Sequence, residues 1–261
     1  MDLGLKGKKA VVAASSKGIG FAIVRGLLDE GCSVIMNGRD QNTLDKSRDL
    51  LGNSENLIEF VGDVTDKGVC QEFIEKAINE FGGLDILVTN SGGPISGRFE
   101  DLTSEQWDDA IAKCLRSHIF LIESALPHLK KSPSPSILTI TSFTVKQPLP
   151  NLILSNSIRA ATAGLTKSLA NEFGEYGIRV NSLLPGWTRT ARVDELMQSR
   201  TKKNNSTAEE EIAAITKTIP LARMAEPDEI GKAAVFLVSP AASYLTGVML
   251  NVDGGIIQGL F

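Results

Sequence analysis

The sequence predicts a single α/β domain built on a doubly wound parallel sheet of seven strands. The chain has 261 residues, of which 42% are hydrophobic and 22% charged, so it can bury a full core without a disulfide or metal. Short β-branched runs alternate with longer amphipathic stretches, which is typical of repeated βαβ units. The strand runs are almost continuously apolar, as expected where helices cover both faces of a sheet.

Seven strands are predicted from the apolar runs, and six helices lie between them. The strands are Lys9–Ala13, Ser33–Asn37, Leu57–Val61, Asp85–Asn90, Ser136–Thr141, Ile178–Leu183 and Val248–Val252. The helices are Gly18–Glu30, Gln41–Leu51, Lys67–Phe81, Ser104–Leu129, Leu154–Glu175 and Pro227–Leu237. Thr103 and Gln106 form a capping box that begins the fourth helix. Pro227 stands in a first helical turn, where proline is accepted.

Composition argues against several functional classes. The 27 basic and 31 acidic residues give a net charge of −4, so no excess of cations is available for nucleic-acid phosphates. The three cysteines are far apart and form neither a disulfide framework nor a CxxC motif, which predicts a cytoplasmic location. His118 and His128 are the only histidines, and no metal site is expected. No apolar run approaches the ~20 residues of a membrane span.

The segment 191–218 is the compositional outlier, because it is strongly hydrophilic and interrupts the alternation of strands and helices. One interpretation is a solvated excursion on the surface. The other is a mobile substrate lid over a pocket, inserted in the single domain 1–261.

A glycine-containing turn joins the first strand to the first helix. It runs from Ala13 to Gly20 with the sequence AASSKGIG. Gly18 and Gly20 allow the backbone to approach a pyrophosphate at the helix N-terminus, where free N–H groups and the helix dipole favour an anion. The turn therefore predicts a dinucleotide site.

The end of the second strand indicates which dinucleotide is bound. NAD sites usually carry an acidic residue here that accepts the ribose 2′-hydroxyl. This chain has Gly38 followed by Arg39, and an arginine can pair with a 2′-phosphate. Lys17 in the turn adds a second cation. The pattern favours NADP(H) over NAD(H), the alternative being that Arg39 is an ordinary surface charge.

Further motifs occur in a fixed order along the chain. They are Asp63–Val64, Thr89–Gly92, Tyr176–Asn181, Pro185–Thr190, Pro220–Arg223, Glu226–Glu229, Tyr244–Gly247 and Asn251–Gly255. With them the sequence resembles the short-chain dehydrogenase/reductase family over nearly its whole length. The carboxyl-terminal motifs are similar to those of 3-oxoacyl-acyl-carrier-protein reductases.

The resemblance implies a Rossmann-type fold and an NAD(P)(H)-dependent oxidoreductase acting on a carbonyl or alcohol. It also implies that the chain forms a homodimer or homotetramer. The apolar end Ile256–Phe261 fits either such an interface or the chain's own core. The residues expected at the cofactor are Ala14, Ser16, Lys17, Gly18, Ile19, Gly20, Arg39, Asp63, Val64, Asn90, Gly92, Arg159, Pro185, Gly186, Thr188 and Thr190.

The positions that carry catalysis in the family are altered. The family uses an Asn, Ser, Tyr, Lys tetrad, with Tyr and Lys four residues apart on one helix. Ser142 matches the serine, but Ser155 stands at the tyrosine position and Arg159 at the lysine position. Cys114 stands at the asparagine position. The four expected catalytic residues are therefore Ser142, Ser155, Arg159 and Cys114.

These replacements change the acid chemistry. A tyrosine beside a lysine can donate a proton because the ammonium lowers its pKa, whereas a serine hydroxyl is a far poorer acid. Arg159 stays protonated, so it cannot relay protons, but it can bind ribose and stabilise an oxyanion. Lys146 and Cys114 are the nearest other titratable groups.

Two hypotheses remain open for function. In the first, the protein reduces or oxidises a small-molecule substrate with NADP(H), and water or Lys146 supplies the proton. In the second, the protein is a catalytically impaired, cofactor-binding pseudoenzyme that acts as a sensor or assembly partner. The loss of three tetrad residues and the alanine at position 14 motivate the second hypothesis.

Overall fold

The computed structural model describes residues 2–260 and contains one sheet of seven parallel strands. The strands are β1 (Lys9–Val12), β2 (Ser33–Gly38), β3 (Leu57–Val61), β4 (Ile86–Thr89), β5 (Ser136–Ile140), β6 (Arg179–Pro185) and β7 (Met249–Val252). Their order is β3-β2-β1-β4-β5-β6-β7. The order reverses between β1 and β4, where Ala10 lies opposite Ile86, so a crevice opens beyond the carboxyl ends of these strands. The predicted fold class is confirmed.

Helices cover both faces of this sheet. They are α1 (Gly18–Asp29), α2 (Gln41–Leu50), α3 (Lys67–Phe81), α4 (Ser104–Ile111), α5 (Ser117–Leu129), α6 (Ile153–Phe173), α7 (Ala191–Asn204), α8 (Ala208–Thr216) and α9 (Pro227–Val238). One core layer joins α1 and α9 to the sheet, with Ile23 and Val235 among its fully or almost fully buried side chains. The opposite layer joins α3, α5 and α6 to the sheet, with Phe73 and Leu121 buried.

The predicted fourth helix is interrupted. The sequence pattern predicts one helix over Ser104–Leu129, but α4 and α5 are separated by a π-helical turn at Ala112–Arg116. The hydroxyl of Thr162 on α6 donates a hydrogen bond to the carbonyl oxygen of Cys114 within this turn. Such a contact with an inserted side chain supports a local change in helical winding. The capping box of Thr103 and Gln106 is present as predicted, with both reciprocal hydrogen bonds.

The hydrophilic segment 191–218 contains two helices, α7 and α8, which the alternation of strands did not predict. They are held by a small apolar cluster in which Met197 and Ile215 pack with Trp187. Ile256 belongs to the same cluster, so this part of the carboxyl terminus packs on its own chain. Leu260 is exposed, and Phe261 lies outside the described residues.

All three cysteines are free and buried. Burial raises the pKa of the Cys32 and Cys70 thiols to about 12, so both stay protonated. In residues 2–260 no group of three His, Cys, Asp or Glu side chains is placed to hold a metal ion. No helix in that range combines the length and hydropathy required to cross a bilayer.

Candidate active site

A cleft with a volume of about 340 Å³ lies beyond the carboxyl ends of the central strands. It brings together most of the site residues expected from the sequence, although these come from distant parts of the chain. Those that line it are Ala14, Lys17, Gly18, Ile19, Gly20, Asn90, Gly92, Ser142, Ser155, Arg159, Pro185, Gly186, Thr188 and Thr190. The phosphate turn and the altered catalytic positions therefore share one cavity.

The N-terminus of α1 faces this cleft and carries no side-chain cap. Lys17 is the extended N-cap residue, so the first backbone N–H groups of the helix are available to an anion. Gly18 has a φ of 57°, and a Cβ there would lie 3.1 Å from the methyl group of Thr190. A Cβ on Gly20 would lie 2.5 Å from the Ala14 carbonyl oxygen. Both glycines are therefore required by the tight turn, and the turn fits a pyrophosphate.

Ala14 stands at the sharpest point of this turn. Its φ of 45° is in the left-handed region that favours glycine. Two asparagines hold it there: the N–H of Ala14 donates to Asn37 Oδ1 at 3.1 Å, and its carbonyl accepts from Asn90 Nδ2 at 3.0 Å. Asn37 also donates to the carbonyl of Gly62, so it joins β2 to the loop after β3. Motif reasoning missed Asn37, because it looks like an ordinary strand residue.

The predicted binding position for a ribose 2′-phosphate lies at the end of β2. A Cβ on Gly38 would lie 3.0 Å from the Ser16 side chain. Because glycine has no Cβ, this space beside Ser16 stays open. Arg39 is exposed, and its guanidinium lies 3.9 Å from a carboxylate oxygen of Asp63. Asp63 accepts a hydrogen bond from Thr65, which fixes its carboxylate. Four expected cofactor residues lie outside the lining of the 340 Å³ cleft, namely Ser16, Arg39, Asp63 and Val64.

The acidic residue next to Arg39 has a structural role. Asp40 caps α2 by accepting hydrogen bonds from the Thr43 hydroxyl and N–H. These hydrogen bonds lower the pKa of Asp40, and the nearby Lys17 charge adds to the effect. The Asp40 carboxylate is therefore occupied at the helix end, while Arg39 projects into solvent beside it.

Three hydroxyl groups form a connected chain in the cleft. Ser142 follows β5, and its Oγ accepts from the N–H of Thr144 at 3.2 Å and from the Thr144 hydroxyl at 3.1 Å. Thr144 Oγ1 lies 3.4 Å from Ser155 Oγ on α6. The predicted pair Ser142 and Ser155 is thus brought together through a third hydroxyl. Sequence reasoning missed Thr144, although it lies only two residues after Ser142.

Arg159 is only 8% exposed and is tied to the end of β5. Its Nη1 donates to the carbonyl oxygens of Ile140, at 3.3 Å, and of Thr141, at 3.0 Å. Burial, and secondarily the Arg159 charge, lower the pKa of His118 to about 3. His118 is therefore neutral at working pH, and its Nδ1 lies 2.7 Å from the Thr89 hydroxyl.

Two of the residues considered for proton transfer are placed away from the cleft surface. Cys114 is fully buried in the π-helical turn, and its thiol contacts the carbonyl oxygen of Gly92 at 3.7 Å. Cys114 does not line the cleft, because its sulfur faces this backbone oxygen, and its catalytic role stays a prediction. Lys146 is exposed and lies outside the lining of this cleft.

A larger chamber of about 620 Å³ adjoins the cleft. The two cavities share the apolar side chains of Leu149, Leu152, Trp187 and Leu196. Beyond this apolar neck the chamber is lined by polar and apolar groups together. Among them are Ser96, Gln147, Ser199, Arg200, Ile215, Thr218 and Gln258. Helices α7 and α8 supply part of this wall, so the hydrophilic segment forms one side of the chamber.

Helix α7 also reaches across the cleft. The Arg192 guanidinium donates from Nη2 to the carbonyl oxygen of Pro94, in the loop after β4. It fills the space beside Gly93, where a Cβ would lie 2.6 Å from Arg192 Nε. Ser96 and Ser199 approach each other at 3.5 Å on the same side. The segment that begins with α7 is therefore fastened to the opposite wall.

Comparison with known proteins gives a consistent family assignment. Residues 13–257 match the family described as Enoyl-(Acyl carrier protein) reductase. The chain is 33% identical to the uncharacterized oxidoreductase YvrD of Bacillus subtilis (strain 168) over 264 aligned positions, which cover 100% of both chains.

Solved structures extend the similarity to the whole fold. L-sorbose reductase from Gluconobacter frateurii, complexed with NADPH and L-sorbose, superposes with a TM-score of 0.93 at 29% identity, covering 100% of both chains. A short-chain oxidoreductase from Pseudomonas aeruginosa PAO1 that contains an atypical catalytic center superposes with a TM-score of 0.88 at 30% identity, covering 99% of this chain and 100% of that one. The chain belongs to the short-chain dehydrogenase/reductase family of NAD(P)-dependent oxidoreductases.

Proposed function

We propose that the protein is an NADP(H)-dependent oxidoreductase that interconverts a carbonyl and an alcohol with a non-standard proton-donating arrangement. One observation carries the proposal: Ser142, Ser155 and Arg159 line the same cleft as the phosphate turn.

The protein groups have distinct tasks in this proposal. The nicotinamide cofactor supplies or accepts the hydride when bound. Ser142 holds the substrate oxygen by a hydrogen bond, which fixes the carbonyl carbon beside the cofactor position, and Ser155 helps to position that oxygen through the hydroxyl of Thr144. Arg159 is a fixed positive charge, and it stabilises the negative charge that develops on the oxygen during reduction. The apolar neck around Trp187 separates the reacting centre from the larger chamber.

NADP(H) is the proposed dinucleotide. Gly38 leaves space beside Ser16, and Lys17 and Arg39 are the cations proposed to pair with a ribose 2′-phosphate. Arg39 has only a long contact of 3.9 Å to Asp63, so its guanidinium can turn to a phosphate. The structural relative L-sorbose reductase is complexed with NADPH, which supports the same choice.

The proposed substrate is a small-molecule carbonyl or alcohol that occupies the 620 Å³ chamber. The carboxyl-terminal motifs favour a 3-oxoacyl-acyl-carrier-protein reductase-like activity. The likeness to L-sorbose reductase makes ketoses a second group to assay. We also propose that 191–218 acts as a substrate lid within the single domain and that the protein is a cytoplasmic homodimer or homotetramer. Light scattering after size-exclusion chromatography measures the oligomeric state.

The activity is tested with purified protein, NADPH and a panel of 3-oxoacyl thioesters, ketoses and simple ketones. We expect oxidation of NADPH with at least one carbonyl class and weaker turnover with Ser142→Ala. Fluorescence titration of NADPH on the same samples separates binding from chemistry. Tight binding without turnover of any carbonyl, or of any alcohol with NADP⁺, would refute the enzyme and favour the sensor.

A further inference from the structure

We propose that Thr144 is a positioning residue that links Ser142 and Ser155 into an ordered hydroxyl relay, which carries a proton from solvent to the substrate oxygen. The inference rests on the proposed oxidoreductase function and answers its open question, which is the source of the proton. It assigns a role to a residue outside the tetrad positions of the family.

The hydrogen bonds give the chain of three hydroxyl groups a direction. A hydroxyl has a single hydrogen, and the Thr144 hydrogen is donated to Ser142 Oγ at 3.1 Å. On the other side of Thr144, the 3.4 Å contact with Ser155 must then use the hydrogen of Ser155. Ser142 accepts from both the N–H and the hydroxyl of Thr144, so its own hydrogen remains available to the cleft. The chain therefore runs from Ser155 through Thr144 to Ser142.

The surroundings isolate the middle of the chain and leave its ends accessible. All three residues line the cleft, but Thr144 is only 2% exposed, whereas Ser142 and Ser155 are half-buried. The short 3₁₀ turn at Phe143–Val145 fixes the Thr144 backbone, because Ser142 caps that turn. A buried hydroxyl between two accessible ones is suited to transfer and is protected from competing water.

The proton balance closes without an additional acid. The reduced nicotinamide cofactor, when bound, would supply a hydride to the carbonyl carbon, and the C=O π electrons would move to the oxygen. Ser142 gives its hydrogen to that oxygen, Thr144 gives its hydrogen to Ser142, and Ser155 gives its hydrogen to Thr144. A solvent proton restores Ser155, so the three hydroxyls are unchanged and the net reaction adds one hydride and one proton to the carbonyl.

The charges near the chain favour this route over the alternatives. Arg159 holds its charge at the end of β5, next to Ser142, and stabilises any negative charge passing along the hydroxyls. His118 is fully buried and neutral, so it has no imidazolium proton to donate, and it lies outside the lining of the cleft. Lys146 is exposed and outside the lining of the cleft. Of His118, Lys146 and the hydroxyl chain, only the hydroxyl chain lines the cleft.

The test compares Thr144→Val, which keeps the shape and removes the hydroxyl, with Thr144→Ser, which keeps the hydroxyl. Thr139→Val is the matched control, because the buried Thr139 hydroxyl lies in β5, just before this turn, and pairs with Thr166 at 2.9 Å, outside the cleft. We expect Thr144→Val to lower kcat by about 100-fold, the scale of one lost proton-transfer contribution. KM and the NADPH affinity should stay unchanged, and Thr144→Ser should restore kcat.

A proton inventory in mixed light and heavy water adds a readout that packing does not alter. The wild type should show a curved dependence on deuterium content, since several protons move together, and Thr144→Val should lose the curvature. Unchanged kcat in Thr144→Val, or failure of Thr144→Ser to restore it, would overturn the relay.

The hydroxyl chain itself is tested without turnover, by thermal unfolding of Thr144→Val, Ser155→Ala and the double variant. Because both single changes break the same contact, the double variant should lose less in Tm than the two losses added together. Additive losses would overturn the chain. If the Tm losses of the variants are coupled but the wild-type protein turns over no substrate, the relay and the proposed enzyme are both refuted. The hydrogen bonds between the hydroxyls would still be supported in that case.

Discussion

Arg159 donates a hydrogen bond of 3.0 Å from Nη1 to the carbonyl oxygen of Thr141, the residue before Ser142. The guanidinium is buried, and it places a positive charge beside the end of β5. In the family frame a lysine at this position assists a tyrosine four residues earlier, and here both are replaced. The charge at the site is thus preserved while the phenolic acid is absent.

Restoring the acid should therefore raise the rate. The double change Ser155→Tyr with Arg159→Lys places a phenol and an ammonium on adjacent turns of α6, and the 340 Å³ cleft has room for the ring. We expect kcat to rise by at least about 100-fold, the usual contribution of a general acid. A new limb in the pH–rate profile, set by the lowered tyrosine pKa, should accompany the increase.

The single changes are the controls for this experiment. Ser155→Tyr alone retains an arginine that cannot relay protons, and Arg159→Lys alone has no phenol to assist. Each should fall well short of the double variant. If the double variant is no faster than the wild type and still binds NADPH, the geometry of the site differs from that of the family's Tyr and Lys pair.

The cofactor preference is tested at Arg39. We expect Arg39→Ala to raise the Kd for NADPH by about tenfold, the scale of one charge-assisted hydrogen bond at an exposed site, while the Kd for NADH stays unchanged. Lys46→Ala removes an exposed charge from the neighbouring α2 and is the control. Isothermal titration with both dinucleotides measures the effect. Equal weakening of NADPH and NADH would contradict recognition of the 2′-phosphate.

The phosphate turn and the two serine positions could be predicted from the sequence, because each is marked by residue type and spacing within a short segment. Gly18 and Gly20 identify the phosphate turn because only glycine fits the left-handed backbone and the close approach. The positions of Ser142 and Ser155 follow from the family spacing. Thr144 and Asn37 could not be found in this way, because their roles depend on contacts between distant segments. The π-helical turn likewise depends on Thr162, which lies 48 residues after Cys114.

The strained alanine of the phosphate turn gives a stability prediction. Ala14→Gly removes a left-handed strain of roughly 1–2 kcal/mol and adds unfolded-state entropy of about 0.5–1 kcal/mol. We expect a net gain that raises Tm by about 1–4 °C. Ala213→Gly, at an exposed position in α8, should instead lower Tm. Calorimetry that finds Ala14→Gly less stable than the wild type would show that the two asparagines already offset the strain.

The proposed lid is tested through Arg192. Arg192→Met keeps the length of the side chain and removes the hydrogen bond to the Pro94 carbonyl. We expect NADPH to dissociate about tenfold faster in stopped-flow displacement, because that bond fastens α7 across the cleft. Arg189→Met is the control, since Arg189 is exposed and pairs with Glu226 at 3.4 Å. Equal release rates in all three proteins would argue for a solvated surface excursion instead of a lid.

The stability of the segment that contains α7 and α8 should depend on pH through Glu211. Hydrogen bonds from Ser206, Asn204 and Arg200, at 2.6, 2.7 and 2.7 Å, lower the pKa of this carboxyl from 4.5 to about 2. A carboxyl whose folded pKa is depressed stabilises the fold above its unfolded pKa, and loses that contribution as pH falls through the folded value. Glu211→Gln should therefore weaken the segment at neutral pH, and its difference from the wild type should shrink from about pH 4.5 down to about pH 2.

Hydrogen exchange of the α7 and α8 amides measures this weakening directly. We expect faster exchange in Glu211→Gln at neutral pH, confined to the two helices, because the carboxylate accepts hydrogen bonds from Arg200 and Asn204 of α7 and from Ser206 in the connecting loop. Glu209→Gln changes an exposed carboxyl in the same helical turn and should leave exchange unchanged. Faster exchange in the Glu209 variant as well would trace the effect to the charge at the α8 N-terminus, because acidic groups there interact with the helix dipole.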